Sequence, residues 1–198
     1  MKIRLFITMM LTAVTLAVNA QTAREILDKT AARLSDKGGI TATFSITGQK
    51  INSHGTIAVK GRMYQATTEQ AVVWYDGKTQ WTYVKNNEEV NVSTPSEAEQ
   101  AAVNPVALIS IYKKGYTMTA EKKGPAHVVH LKGKSGSRIE EMYVTVAQKT
   151  FTLSHIRYKR KGVWYDVSIT DFRTAKLSDA TFRFNQKDYP KAEVIDLR

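Results

Sequence analysis

The four histidines are the side chains of this sequence best suited to acid–base or metal chemistry. His127 and His130 stand three residues apart in a stretch that alternates like a β-strand, so their side chains are expected on opposite faces. His54 and His155 are isolated, and the chain contains no cysteine. Acid–base catalysis needs groups that converge on one site, and a zinc site needs clustered ligands. The sequence therefore predicts no catalytic residues and no metal site.

Two glycine-containing stretches match known motifs only in part. Gly77-Lys78-Thr79 has the ending of a phosphate-binding loop, but the glycine required five residues earlier is Val72. Residues 133–137 lack the Gly-x-Ser-x-Gly spacing of a nucleophile elbow and predict a hairpin loop. We therefore expect a protein that is not an enzyme and needs no cofactor.

Aromatic side chains at strand spacing are the remaining chemical signal. An Asp-Gly pair at 76–77 favours a tight hairpin turn between two aromatic runs. Trp81 and Tyr83 point to one side of the strand that follows this turn. Gln80 and Thr82 point to the other side, which we expect to face solvent. The face with Trp81 and Tyr83 must be covered by an ordinary core or by a ligand.

Most of the chain after residue 40 alternates apolar and polar residues with a period of two, which predicts β-strands. Ala42, Phe44 and Ile46 share one face of the first strand, and residues 163–172 alternate in the same way. Short strands joined by Gly, Asn and Lys turns predict an antiparallel meander of roughly ten to eleven strands. A sheet of this size tends to curl. The expected fold is mainly β (α+β), with one curled antiparallel sheet.

Three helical segments are also predicted. Residues 22–36 carry an apolar stripe at helical spacing, and a second helix is expected to begin at Thr-Pro-Ser-Glu, residues 94–97. A third, over residues 105–114, is apolar around much of its circumference. It can cover one face of the sheet. The covered space is then either a solid core or an apolar pocket with a lid.

Residues 1–20 have the pattern of a secretory signal peptide. A positively charged start, an apolar run and small residues before Gln21 favour cleavage at that point. No later stretch is long enough for a membrane-spanning helix, and no cysteine follows the apolar run, so a lipid anchor is not expected there. We expect a single exported domain over residues 21–198.

The chain is basic, with 29 Lys and Arg against 18 Asp and Glu. Loss of Lys2 and Arg4 with the signal takes two from the 29, and the remaining 27 against 18 give a charge of +9. Basic charge suits nucleic acid, an anionic membrane or an acidic partner. Export argues against nucleic acid, and the scattered basic residues favour a solvated surface.

Four motifs occur together in this chain. They are Gly55-Thr-Ile-x-Val-Lys60, the hairpin Asp76-Gly-Lys-Thr-x-Trp81-x-Tyr83, Asn104-Pro105 before an apolar helix, and Phe182-Arg-Phe184 near the end. As a set they resemble the LolA family, the periplasmic carriers of outer-membrane lipoproteins in Gram-negative bacteria. The resemblance spans nearly the whole chain after residue 20.

The resemblance implies an unclosed (half) β-barrel with helices as a lid over an apolar cavity for acyl chains. Burial of acyl chains fits the energetics, since each buried methylene contributes about 0.8 kcal/mol. It also implies a periplasmic monomer that receives lipoprotein acyl chains from an inner-membrane lipoprotein-releasing transporter and delivers them to an outer-membrane receptor. On this basis the cavity is expected to be lined by Phe44, Ile46, Ile57, Val59, Tyr64, Trp81, Tyr83, Val90, Val92, Val106, Ile109, Tyr112, Met118, Tyr165, Val167, Phe182 and Phe184.

Arg62 is the candidate for a lid latch, because in the family an arginine after the Val-Lys strand bonds to the lid and keeps the empty cavity closed. Here the arginine is shifted by one residue and the proline that usually follows is missing, and on a strand such a shift reverses the face. Three alternatives stay open: a LolA-like carrier of another envelope lipid or glycolipid, a periplasmic lipid-modifying enzyme, and a structural β-protein with a filled interior.

Overall fold

The computed structural model describes residues 22–96, 99 and 105–198, with the backbone alone for residues 105–107. The predicted signal peptide lies outside these residues. The strands in the described part are β1 (Ile40–Gly48), β2 (Ile51–Lys60), β3 (Met63–Thr68), β4 (Ala71–Tyr75), β5 (Gln80–Val84), β6 (Glu89–Ser93), β7 (Tyr116–Lys123), β8 (Ala126–Gly133), β9 (Glu141–Ala147), β10 (Leu153–Arg160), β11 (Val163–Thr174) and β12 (Glu193–Asp196).

These twelve strands form one sheet in the order β12-β6-β5-β4-β3-β2-β1-β11-β10-β9-β8-β7. The two end strands of this order do not pair with each other, so the curled sheet is not closed. The prediction of a mainly β fold with an unclosed antiparallel sheet is confirmed.

The C-terminal tail differs from the prediction, because it adds a strand. Val194 of β12 pairs with Val90 of β6, and this is the parallel contact of the sheet within the described residues. The chain reaches β6 through a segment that contains two short 3-10 turns, Asp179–Phe182 and Gln186–Asp188. This segment is long enough to carry the chain from β11 to the edge of the sheet at β6, where β12 can pair in the parallel direction.

One face of the sheet, called here the inner face, can be traced through the strand register, because directly paired residues share a face. Val129, Val144, Ile156, Val167 and Ile46 form one such row across five strands. The inner face then passes from β1 through β2 and β3 to β4 along the row Ala42, Ile57, Ala66 and Val73. The opposite surface is called the outer face.

Two helices lie on the inner face: α1, residues 22–34, and α2, Pro105–Ser110, which continues into a 3-10 turn, Ile111–Lys113. The predicted stripe of α1 is buried. It packs with the inner-face residues of β7 to β10 and with Ile109 and Tyr112 as a filled core. Within the described ranges, no helix has both the length and the apolar character that a membrane crossing requires.

The start of the second predicted helix differs by two residues from the prediction at 94–97. Thr94, Pro95 and Ser96 are not helical, whereas Glu99 is. The Glu99 amide donates to Ser96 Oγ at 3.3 Å, and Glu99 Oε2 accepts from the Ser96 amide at 2.8 Å. These reciprocal bonds are a capping box with Ser96 as its first residue. The rest of this predicted helix, up to residue 104, lies outside the described residues.

Candidate functional site

An apolar cavity of about 280 Å³ lies on the inner face, and Leu34 of α1 and Leu108 of α2 contribute to its wall. Its polar groups are the hydroxyls of Thr68, Tyr64 and Tyr158. The full lining comprises Leu34, Ile40, Ala42, Phe44, Ile46, Ile57, Tyr64, Ala66, Thr68, Val73, Leu108, Ile156, Tyr158, Val167, Ile169 and Phe172. Such a wall can bind an apolar chain through burial, and it offers no charged group for catalysis.

Phe44 lines the cavity, and a glycine on the neighbouring strand leaves room for its ring. It pairs with Gly55 on β2 and with Ile169 on β11. A Cβ on Gly55 would lie 3.3 Å from Phe44 Cε1 and 1.9 Å from the Thr67 carbonyl oxygen. A side chain at Gly55 would therefore force β2 and β3 apart, and the glycine of the first sequence motif has a steric role in shaping the wall.

One end of the cavity is closed by buried side chains. Ile40, Tyr64 and Leu34 are each 3% exposed or less. The Tyr64 ring packs on Tyr75, with centroids 5.4 Å apart, and its hydroxyl donates to Gln80 Oε1 at 2.9 Å. Burial, and in second place the neighbouring Tyr75, raises the pKa of Tyr64 well above its ordinary value. This end therefore excludes charge.

The other end of the cavity is partly open, since Ile46, Val167 and Tyr158 are only half-buried. Tyr158 stacks on Tyr165, with ring centroids 5.1 Å apart. Burial and the neighbouring Tyr165 raise the pKa of Tyr158, while the Arg160 guanidinium opposes the rise. Arg160 lies two residues after Tyr158 on the same face of β10, so its guanidinium is a cation close to the cavity mouth.

The segment of α2 and its 3-10 turn, residues 105–113, is held on the sheet by buried side chains and is called here the lid. Ile109 and Tyr112 are each 1% exposed. The Tyr112 hydroxyl donates a hydrogen bond to Asp28 Oδ1 of α1. The pKa of Tyr112 is raised by burial first and by this hydrogen bond second, and the nearby Arg24 opposes the rise. The lid is thereby attached to α1.

The structure places Trp81 and Tyr83 on the outer face, so the predicted facing of β5 is wrong. Trp81 pairs with Trp74, whereas Gln80 pairs with Tyr75, which lies on the inner face beside Tyr64. Gln80 and Thr82 therefore face inward, where the Gln80 amide donates to Thr82 Oγ1 at 3.3 Å. The physical reason is a second apolar layer: the C-terminal segment covers the outer face of β4 to β6.

This outer layer is a cluster of Val90, Val92 and Ala192 with Trp81, Tyr83, Phe184 and Tyr189 packed against it. The Tyr189 ring lies 4.6 Å from Tyr83 and 5.4 Å from Trp74, centroid to centroid. Val90, Val92 and Phe184, which were also expected in the cavity, belong to this cluster. Phe182 was expected there too and is buried in the first 3-10 turn of the C-terminal segment. All four lie outside the cavity lining.

The remaining predicted residues form two groups, and Val106 and Arg62 stand apart from both. Phe44, Ile46, Ile57, Tyr64 and Val167 line the cavity. Five others lie next to the cavity. Val59, Ile109, Tyr112 and Met118 are buried in apolar clusters on the inner face. Tyr165 stacks on the lining residue Tyr158. The side chain of Val106 lies outside the described part of the chain. Arg62 lies exposed in the turn between β2 and β3, at the closed end of the cavity.

Several lining residues were absent from the predicted site. They are Leu34, Ile40, Ala42, Ala66, Thr68, Val73, Leu108, Ile156, Tyr158, Ile169 and Phe172. Ala42 and Ile169 lie on strand faces whose alternation is visible in the sequence, so a stricter use of periodicity would have included them. Ala66 and Thr68 carry no apolar signal, and only their pairing with β2 shows that they face inward.

The histidines expected to be non-catalytic lie mainly at polar contacts. His130 Nε2 is 2.7 Å from Glu141 Oε1, and its ring stacks on Tyr143 on the outer face. His127 lies on the opposite side of β8 and stacks on Phe151. Among the described residues no group of three or more His, Cys, Asp or Glu side chains is arranged to hold a metal ion.

Comparison with known proteins gives one family. The sequence profile described as "Outer membrane lipoprotein carrier protein LolA" matches residues 13–162, about three quarters of the 198 residues. No curated protein sequence matches the chain significantly.

Two solved structures illustrate the shared fold. An uncharacterized conserved protein from Thermus thermophilus matches with a TM-score of 0.61 and 14% identity, over 88% of this chain and 99% of that one. MucB matches with a TM-score of 0.51 and 15% identity, over 83% of this chain and 63% of its own. At these identities the structural matches show the fold alone.

Proposed function

Because this chain belongs to the LolA family of outer membrane lipoprotein carrier proteins, we propose that it is a periplasmic carrier that shelters lipid acyl chains in the inner-face cavity. The cargo is a lipoprotein, which the carrier takes from the inner membrane and delivers to the outer membrane. The protein acts as a monomer, makes no covalent change to its cargo and binds no cofactor.

The observation that carries the proposal is the apolar cavity between the sheet and the lid. Its lining is apolar apart from three hydroxyls, and Leu108 of the lid forms part of it. At about 0.8 kcal/mol for each buried methylene, such a wall can compensate for removing an acyl chain from a membrane. A filled core, the alternative for a structural β-protein, would leave no such space.

The proposal includes a movement of the lid when cargo enters, and the small size of the cavity supports it. Its volume of about 280 Å³ lies just below the ~300–1,000 Å³ common for small-molecule sites. A lipoprotein anchor with several acyl chains needs more room. Displacement of the lid, which lies across one side of the cavity, would supply it, so we interpret the structure as the closed form of the carrier.

The export of the protein is part of the proposal. Residues 1–20 act as a signal peptide, cleavage precedes Gln21, and residues 21–198 form the carrier domain. An inner-membrane lipoprotein-releasing transporter and an outer-membrane receptor are its partners, as in other carriers of the family. Arg62 remains the candidate latch, to be tested by its effect on lid opening.

A cavity-filling substitution tests the acyl-binding site directly. Ala66→Phe places a ring inside the cavity, so binding of a fluorescent fatty-acyl probe should fall at least tenfold while the protein stays folded. Thr67→Phe is the matched control, because Thr67 is the next residue on β3 and points to the outer face. Equal probe binding by wild type and Ala66→Phe would exclude the cavity as the site.

The identity of the cargo needs a separate experiment. Protein recovered from the periplasm should carry lipoprotein, detectable by mass spectrometry of the co-purified material. Recovery of a glycolipid or another envelope lipid would retain the carrier function and change its cargo. Absence of the protein from the periplasmic fraction would contradict the proposed export.

A further inference from the structure

The turns at one end of the sheet carry an excess of basic residues. In an antiparallel meander alternate turns share an end, so the turns β1–β2, β3–β4, β5–β6, β8–β9 and β10–β11 and the connection into β7 lie at one end of the sheet. The turns β3–β4 and β5–β6 carry Glu69, Glu88 and Lys85, so the basic excess comes from the other four segments. Their basic residues, with Arg160 at the end of β10, are Lys50, Lys113, Lys114, Lys134, Arg138, Arg160 and Lys161. Glu140 is the acidic residue within these four segments, and its Oε1 already accepts a hydrogen bond from the Gly162 amide at 2.8 Å. The Arg138 charge also acts on the nearby Glu99 carboxylate. The field beside these four segments is therefore positive.

The cavity opens toward the same basic end. Strand β1 runs from Ile40, which is 1% exposed at the closed end of the cavity, to Gly48, beyond the half-buried lining residue Ile46. Gly48 pairs with both Ile51 and Tyr165, so the β1–β2 and β10–β11 hairpins stand side by side. These two hairpins consequently border the mouth.

An exposed apolar side chain lies at this border. Ile51 is 41% exposed at the tip of the β1–β2 hairpin, directly after the exposed Lys50. Beside it in the sheet, Lys161 forms the tip of the β10–β11 hairpin and is also exposed. An apolar residue between lysines suits the surface of a bilayer, where the apolar group enters the headgroup layer and the lysines attract anionic lipid.

We propose that this end of the sheet docks on the surface of an anionic phospholipid bilayer and holds the cavity mouth against it. Charge complementarity favours an anionic bilayer as the occupant. Exposed lysines also lie at the opposite end of the sheet, at Lys78 and Lys149, so the exposed Ile51 beside the cavity mouth is what favours this end. The purpose of such docking rests on the proposed carrier function, because it would bring the acyl chains of the cargo to the mouth. The docking itself can be measured without any cargo.

Vesicle flotation provides the primary test. Purified protein should bind phosphatidylcholine vesicles that contain phosphatidylglycerol and not vesicles of phosphatidylcholine alone. The binding should weaken as salt rises, because salt screens exposed charges. Each basic residue near an anionic surface raises the partition coefficient onto the membrane roughly fivefold. The double variant Lys50→Glu/Lys161→Glu should therefore bind at least about twentyfold more weakly.

Matched variants separate location from net charge. Lys78→Glu/Lys149→Glu makes the same charge change in turns at the opposite end of the sheet and should bind nearly as wild type. Ile51→Ser should lower binding severalfold, whereas Leu197→Ser, an exposed apolar residue after β12, should not. Equal losses in the two lysine pairs would overturn the proposal.

Site-specific fluorescence gives a second readout that does not depend on destabilising changes. The natural chain has no cysteine, so Lys50→Cys and Lys149→Cys can each carry one environment-sensitive dye. The dye at position 50 should shift to shorter emission wavelength on anionic vesicles, and the dye at position 149 should not. No shift at either position would overturn the proposal and favour an acidic protein surface as the occupant of the basic end.

Acyl-probe binding in vesicle-free solution distinguishes failure of the docking from failure of the carrier function. If wild type binds the probe but not the anionic vesicles, the docking proposal is wrong and the carrier function stands. The opposite result is that wild type binds anionic vesicles, Lys50→Glu/Lys161→Glu does not, and neither protein binds the probe. In that case the docking stands and the cavity has another role.

Discussion

The Tyr64 hydroxyl donates a hydrogen bond to Gln80 Oε1 at 2.9 Å, and both side chains lie on the inner face of the sheet. This contact closes one end of the cavity with a polar pair in an apolar surrounding. It also shows that β5 presents its polar side inward, while its tryptophan and tyrosine face the C-terminal segment.

Tyr64→Phe should lower the free energy of unfolding by about 1 kcal/mol, because the ring packing is kept and one hydrogen bond to a partly buried acceptor is lost. Urea unfolding measures the change. Tyr83→Phe, on the outer face, serves as the control and should change stability by less than about 0.5 kcal/mol. Equal effects of the two substitutions would show that the Tyr64–Gln80 contact contributes nothing to stability.

Trp81→Ala should destabilise the protein without changing its cavity. Because Trp81 is only half-buried against the outer cluster, we expect a loss of about 2–3 kcal/mol, below the ~3–5 kcal/mol of a fully buried aromatic residue. Acyl-probe affinity per folded molecule should stay at the wild-type value, whereas Phe44→Ala in the cavity wall should alter it. A loss of affinity in Trp81→Ala as large as in Phe44→Ala would contradict the assignment of Trp81 to the outer face.

Gly55→Ala adds a single methyl group but should lower the stability of the protein strongly. The new Cβ would lie 1.9 Å from the Thr67 carbonyl oxygen, so β2 and β3 must separate. We expect a loss of about 3 kcal/mol, the upper end for overpacking. Gly124→Ala is the control: it has open space around the new Cβ and a φ of +55°, which costs about 1 kcal/mol. Thermal unfolding should rank the two in this order, and the reverse order would contradict the steric role of Gly55.

Tyr112→Phe should loosen the lid. The substitution removes the hydrogen bond to Asp28 that connects the lid with α1, at a cost of about 1 kcal/mol in stability. Release of a bound acyl probe should become several times faster, as measured by stopped-flow displacement. Tyr116→Phe removes a hydrogen bond to the Ile139 carbonyl oxygen, which does not involve α1, and should leave the release rate unchanged. If both variants release the probe equally fast, the Tyr112–Asp28 contact does not hold the lid.

The local periodicity of apolar residues was sufficient to predict most of the strands and helices. Strand β11 begins at Val163, where the predicted alternation of residues 163–172 begins, and it continues to Thr174. The apolar stripe of α1 is buried as its helical spacing predicts. Phe44 and Ile46 line the cavity because the alternation of β1 places them on its apolar side. In each case the information lies within a few residues of the chain.

The facing of β5 could not be obtained in this way. Alternation separates Trp81 and Tyr83 from Gln80 and Thr82, but it does not say which side meets the cavity. That choice depends on Phe184 and Tyr189, about a hundred residues later, which cover the tryptophan side and make a second apolar layer. The strand register then turns Gln80 toward Tyr64. The sequence by itself determined the elements, their spacing and the family. Only the tertiary structure decided which faces line the cavity, because burial depends on segments that come together from distant parts of the chain.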